Sequence, residues 1–128
     1  MKRSEKGKKV ILVVEDEPAI AQICLRTLTA DGFEVDIAVN GAIAQDMLAE
    51  KDYDLCLIDI RTPIMNGREL YQHIVKEFSK AANKVIFTTG AVLDERLVSL
   101  IKETKRPYLP KPFTPDELRA IVRKALKG

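Results

Sequence analysis

The chain has 128 residues, 46% hydrophobic and 31% charged, with a formal net charge of +2. That length and balance suit one compact domain with a buried core, and no apolar run is long enough to span a bilayer. The charge is not a nucleic-acid footprint either: Lys2, Arg3, Lys6, Lys8 and Lys9 against Glu5 place +4 in the first nine residues, leaving −2 for the rest.

Residues 1–8 therefore read as a flexible basic N-terminal segment and 9–128 as the folded domain. The start, MKRSEKGKK, lacks the apolar stretch of a signal peptide, so the expected location is cytoplasmic, with no membrane partner. Val10-Ile-Leu-Val-Val14 is a continuous apolar run rich in β-branched residues, the pattern of a strand covered on both faces, and it runs into Glu15-Asp16-Glu17-Pro18. Pro18 suits a first helical turn. Ile20, Ile23, Cys24, Thr27 and Leu28 then recur at helical spacing until Asp31-Gly32. Phe33 to Val39 reads as a strand, Asn40-Gly41 as a junction, and Ala42 to Glu50 as a helix with Ile43, Met47 and Leu48 inward. Tyr53 to Asp59 is the next strand and Ile60 to Gly67 a loop. Leu70, Ile74 and Phe78 mark a third helix, and Lys84 to Thr88 a fourth strand. A fourth helix follows around Asp94 to Glu103, then Tyr108-Leu109 as a minimal fifth strand. Thr114-Pro115-Asp116-Glu117 opens the last helix as a capping box. Cys24 and Cys56 lie inside apolar segments at no metal-binding spacing and read as buried, reduced thiols.

Regular alternation of strands and helices with apolar strands predicts an α/β fold: a single doubly wound, flavodoxin-like domain with a five-stranded parallel sheet in the order 2-1-3-4-5 and five helices. Ligands of such sheets bind outside the carboxyl ends of the strands, at the switch point between strands 1 and 3. Those ends are Glu15-Asp16 and Asp59. Carboxylates converging on one site repel, so they either share protons or hold a cation. Magnesium suits them, with Asp16, Asp59 and a loop carbonyl as ligands and Glu15 acting through water; Mn2+ is the alternative ion. For Glu15 and Asp16 alone, capping of the following helix is an equal reading. Asp59 ends the apolar run Leu55-Cys56-Leu57-Ile58 with a charge set against the core. Thr89 and Lys111 lie just beyond later strands, where the fold delivers a hydroxyl and an ammonium to the same edge. Each alone is a turn hydroxyl or a surface cation. Together they compose an anion site, in which metal and lysine neutralise a phosphoryl group and a carboxylate acts as nucleophile.

The segments VVEDEP, YDLCLIDIRTPIMNG, IFTTG and YLPKPF, in this order, resemble the receiver domains of two-component response regulators, of the chemotaxis-regulator type, over residues 9 to 127. The resemblance implies Asp59 as phosphoacceptor, with Glu15, Asp16 and the Arg61 backbone carbonyl around Mg2+. It implies Thr89 and Lys111 as phosphoryl ligands, Tyr108 as a switch aromatic, and a cis bond before Pro112. A sensor histidine kinase or histidine phosphotransfer protein is then the expected donor. The product is an aspartyl phosphate, and the surface of the fourth helix, fifth strand and fifth helix is the expected switching face. The implied protein is a signalling phosphoacceptor and not an enzyme, assisting only its own phosphotransfer and autodephosphorylation. Arg61 and Thr62 depart from the commonest family pattern; the long Arg61 side chain at the pocket mouth bears on how readily water attacks the phosphorylated residue.

A phosphatase of the haloacid dehalogenase type also uses a strand-end aspartate and magnesium, but it needs a second acid two residues on, where this chain has Arg61. A receiver-like domain that works without phosphorylation typically loses an acid, the threonine or the lysine, and all are present here. His73, beside Leu70 and Ile74, reads as a helix-surface histidine, and Tyr71 and Phe78 as packing or helix surface. Arg96, Lys102, Arg119 and Arg123, with acidic neighbours, offer a homodimer surface on the fourth helix, fifth strand and fifth helix. No direct nucleic-acid binding is expected, and neither the downstream target nor the cognate kinase is legible.

Overall fold

The computed structural model describes residues 7–61, 66–90 and 95–127. Five strands, β1 (Val10–Val14), β2 (Glu34–Ala38), β3 (Leu55–Asp59), β4 (Val85–Thr89) and β5 (Tyr108–Pro110), alternate with helices. These are α1 (Pro18–Ala30), α2 (Gly41–Glu50), α3 (Gly67–Glu77), α4 (Ser79–Ala82), α5 (Glu95–Thr104) and α6 (Pro115–Lys127). The strands form one parallel sheet in the order β2-β1-β3-β4-β5. The expected fold and strand order are therefore found.

The central strands are apolar throughout because both faces of the sheet are covered. Val10, Leu12, Val14, Cys56, Ile58, Val85 and Phe87 face one core, closed by Ala44 and Leu48 of α2, Leu70 and Ile74 of α3 and Leu97 and Leu100 of α5. Ile11, Val13, Leu55, Leu57, Ile86 and Leu109 face the other, under Cys24 and Leu28 of α1 and Leu118 and Val122 of α6. Alternation along each strand thus sends odd- and even-numbered side chains to different helix layers. The same alternation carries on into the site.

Local signals fix the helix ends. Pro18 opens α1, and Gly32 just beyond it has φ +93°, a left-handed conformation that favours glycine. The Asn40 side chain accepts from the Ile43 amide at 2.8 Å. At α6 the expected capping box forms: Glu117 N donates to Thr114 Oγ1 at 3.1 Å and Thr114 N to Glu117 Oε1 at 2.8 Å.

Some expectations are corrected. Six helices are described in place of five, because the third helical stretch is interrupted at Phe78, and Ser79–Ala82 forms a further short turn of helix. Phe78 is the junction, partly buried against the first core and edge-on to His73. β4 extends through Thr89, which pairs with Pro110 of β5. Ile43, read as inward, is 41% exposed, and Ile23, one of the residues at helical spacing in α1, is 39% exposed. Both lie at the margin of an apolar stripe wider than the strip the sheet covers. Residues 1–6, most of the basic N-terminal segment, lie outside the described residues, as do Thr62 and Asp94.

Candidate functional site

The carboxyl ends of β1, β3, β4 and β5 meet at one edge. Asp59, the last residue of β3, is 4% exposed, and Glu15, immediately after β1, is 2% exposed. The Lys111 ammonium lies between them, 2.9 Å from Asp59 Oδ2 and 2.7 Å from Glu15 Oε1. A third carboxylate, Glu17 Oε1, is 3.4 Å away. The Arg61 amide donates to Asp59 Oδ1 at 3.0 Å, so each oxygen of Asp59 has a donor. The Lys111–Pro112 peptide bond is cis.

The clustered carboxylates differ from those expected. Oxygens of Glu15, Glu17 and Asp59 lie within 4.8 Å of one another, whereas Asp16 is exposed and outside that group. Glu15 N still bonds Ala38 O in the manner of the sheet, and the chain then bends at Asp16, which leaves Asp16 exposed and Glu17 beside Glu15. Asp59 follows Leu55 and Leu57 on one face of β3. Glu17 N also donates to Glu15 Oε2 at 3.1 Å. Glu17 sits beside Pro18 and reads from the sequence as helix entry, and nothing in the sequence marks the bend at Asp16 that sets it beside Glu15.

Three carboxylates around one ammonium leave an excess of negative charge. The donors are all hard oxygens, and a divalent cation with several waters fits them. Burial, eased in part by Lys111, raises the Glu15 pKa above the usual carboxylate range, with Asp59 adding to the rise. For Lys111, burial pulls downward, but its bonds to Glu15 and Asp59 more than compensate and hold the ammonium charged. The Tyr108 hydroxyl is also raised, by burial and then by Asp59. It donates to the Thr89 carbonyl at 3.4 Å, tying β5 to the end of β4, where Thr89 is 1% exposed.

The raised Glu15 carboxyl has a sign that can be checked. The folded protein holds this proton more tightly than the unfolded chain, so the stabilisation is full below the unfolded carboxylate range and is lost as pH rises through the folded value. At neutral pH, ionised Glu15 is a cost. Glu15→Gln should therefore melt above wild type at pH 7 in chelator, with the gap closing toward about pH 4. Thermal melts across that range check it, and a variant that melts lower at pH 7 contradicts it.

Several side chains are structural. Cys24 and Cys56 are buried and free, and burial pushes both thiols up to about 12. His73 is half-buried between α2 and α3, its Nδ1 3.2 Å from Gln45 Nε2. Tyr71 packs edge-on against Phe87. Arg123 pairs with Asp31 beyond α1, and Arg119 with Asp116 on its own helix, so two arginines expected at a dimer surface are engaged within the chain.

A buried aspartate, a lysine and further carboxylates thus stand together at the switch point of a doubly wound α/β sheet. Comparison with known proteins gives the family: the response regulator receiver domain family matches residues 11–123, and the chain belongs to it. Among curated proteins, it is 36% identical over 113 residues to the sensor histidine kinase TmoS of Ectopseudomonas mendocina, covering 88% of this chain and 11% of that one. It is 33% identical over 123 residues to the transcriptional regulatory protein YkoG of Bacillus subtilis, covering 96% of this chain and 52% of that one. The chain thus spans about half or less of the curated relatives it matches. Among solved structures, the CheY-like receiver domain protein of Methanospirillum hungatei superposes with a TM-score of 0.86 at 27% identity, covering 94% of this chain and 95% of that one. No helix among the described residues is long and apolar enough to cross a membrane.

Proposed function

We propose that this chain takes a phosphoryl group from a histidine kinase or histidine phosphotransfer protein onto Asp59. The observation that carries this reading is the Lys111 ammonium held between Asp59 and Glu15, with Thr89 on the neighbouring strand. Asp59 attacks the phosphorus of a phosphohistidine in line. The Asp59 O–P bond forms as the N–P bond breaks, and the departing imidazole takes a proton from solvent. Lys111 offsets charge on the phosphoryl oxygens and the Thr89 hydroxyl donates to one of them. Mg2+, or Mn2+, held by Asp59, Glu15 and Glu17 or Asp16, with the Arg61 carbonyl as a further ligand, supplies additional charge neutralisation when bound.

The switch follows from the same residues. As Thr89 turns toward the phosphoryl group, the Tyr108 ring follows it inward, and the surface of α5, β5 and α6 changes. Phosphorylation thereby biases an equilibrium between two arrangements. Arg61, exposed at the rim, belongs to this reading as the side chain that tunes attack by water. The domain is a signalling phosphoacceptor in the cytoplasm rather than an enzyme on a free substrate. A homodimer through α5, β5 and α6 rests on Arg96 and Lys102, because Arg119 and Arg123 are engaged elsewhere. Regulators such as YkoG make transcription one output, and kinases such as TmoS make phosphorelay another.

The reading requires a divalent ion. Incubation with acetyl phosphate should add one phosphoryl mass in Mg2+ and none in chelator. Equal labelling in both removes the metal from the account, and labelling in neither overturns it.

A further inference from the structure

A groove of about 560 Å³ lies between the start of α3 and α5, beside the segment that leaves Asp59. Its floor is Ile60, Leu97 and Leu100, and its rim carries the exposed side chains of Arg61, Arg68 and Arg96. The arginines come from three separate stretches: the segment after β3, the first turn of α3 and the first turn of α5. Helical periodicity, which often sets like charges on one solvated face, does not account for their convergence.

The groove is held in place by the fold itself. Gly67 N donates to Ile60 O at 2.9 Å, which fixes α3 to the floor. Arg68 reaches across to Glu103 of α5 at 3.3 Å, and both side chains of that pair are open to solvent. Among the described residues neither Arg61 nor Arg96 forms an ion pair, and no carboxylate lines the groove. Three positive charges thus share one concavity, with a single exposed counter-charge at its edge.

The positive charge is local. Residues 10–128 carry a net −2, and −5 when these three arginines are set aside. A long polyanion such as nucleic acid, extending past the groove, would run onto a net acidic domain. No aromatic ring lines the groove among the described residues, so a base finds no ring to stack on. A short run of carboxylates is contained by it. Planar guanidinium groups hold carboxylates through paired hydrogen bonds, and the arginine stems with the aliphatic floor cover one apolar side chain between them. We propose that this groove docks an acidic segment of a partner protein, rich in glutamate or aspartate around one aliphatic residue. Docking there needs neither the cation nor a phosphoryl group, so it is separable from the chemistry at Asp59.

Fluorescence anisotropy tests it with the full chain in chelator at low salt, using labelled peptides of sequence EEDLEE and, as the uncharged counterpart, QQNLQQ. Wild type should bind the acidic peptide at least about tenfold more tightly than the neutral one. The double variant Arg68→Gln/Arg96→Gln should weaken that binding about tenfold, the loss of two charge-assisted contacts. Lys76→Gln/Lys80→Gln removes the same charge from exposed positions at the far end of α3 and in α4, and should leave the affinity within about twofold. Glu103→Gln releases Arg68 and should tighten binding about twofold. No binding by wild type overturns the proposal, as do equal losses in the two double variants or a Glu103→Gln that binds no better than wild type. Oligothymidylate bound as tightly as EEDLEE makes the groove a general anion surface and overturns it too. So does light scattering that shows the free chain as a dimer and the arginine double variant as a monomer, because a second copy then fills the groove.

Discussion

Lys111→Met should destabilise the protein by about 3–5 kcal/mol in the absence of divalent ions, the cost typical of removing one partner from a buried ion pair. The Lys111 side chain is 8% exposed, and its partners Glu15 and Asp59 are 2% and 6% exposed. Methionine keeps most of the volume and removes the charge, so the loss is electrostatic rather than a cavity. Two carboxylates are then left facing each other with Glu17 nearby. Two recoveries should follow. Millimolar Mg2+ should restore part of the stability, because a cation that binds only the folded form adds to it by mass action. Lowering the pH should narrow the gap to wild type as the carboxylates take up protons. Urea melts with and without Mg2+ check both. A midpoint equal to wild type in chelator means the ammonium is not balancing buried charge, and the electrostatic account of the site fails.

Gly67→Ala is the second large effect, with an unusual sign for a helix. Alanine in place of glycine normally favours a helix by up to about 1 kcal/mol. Here the added Cβ would stand 2.6 Å from Ile60 Cα and 3.2 Å from the Asp59 carbonyl oxygen. Both neighbours are backbone and cannot swing aside. Gly67 N also donates to Ile60 O at 2.9 Å, which pins the start of α3 against the segment leaving Asp59. The clash must shift either α3 or that segment, at about 1–3 kcal/mol for overpacking. It should also disturb the Arg61 amide bond to Asp59. The variant should melt below wild type and take up phosphoryl groups from acetyl phosphate more slowly. A variant that melts higher shows that α3 is not packed against Ile60 as described.

These effects concentrate where sequence was least informative. The fold was legible because β1, β3 and β4 are buried on both faces and read as unbroken apolar runs, and because capping at Thr114 and the proline at Pro18 act through neighbouring residues. Asp59, Thr89 and Lys111 were legible as polar residues where apolar strands stop, and Tyr108 only through the family resemblance. What escaped depends on direction rather than position. Asp16 and Glu17 are adjacent acids, and only the bend of the chain at Asp16 decides that the second joins Glu15 and Asp59 while the first faces solvent. The capping box of Asn66 and Glu69 was hidden inside a stretch read as loop, since its bonds, 3.0 and 3.2 Å, become meaningful only once α3 is known to start at Gly67. The break at Phe78 had no signal, because no glycine or proline marks it.

The central claim is that Asp59 accepts the phosphoryl group, and the most direct measurement is intact mass after incubation with acetyl phosphate and Mg2+, followed by hydroxylamine. Wild type should gain one phosphoryl mass, and hydroxylamine should convert it to a hydroxamate on the peptide carrying Asp59, as expected of an acyl phosphate. Asp59→Asn should gain neither. The same phosphoryl gain in Asp59→Asn as in wild type would contradict the account.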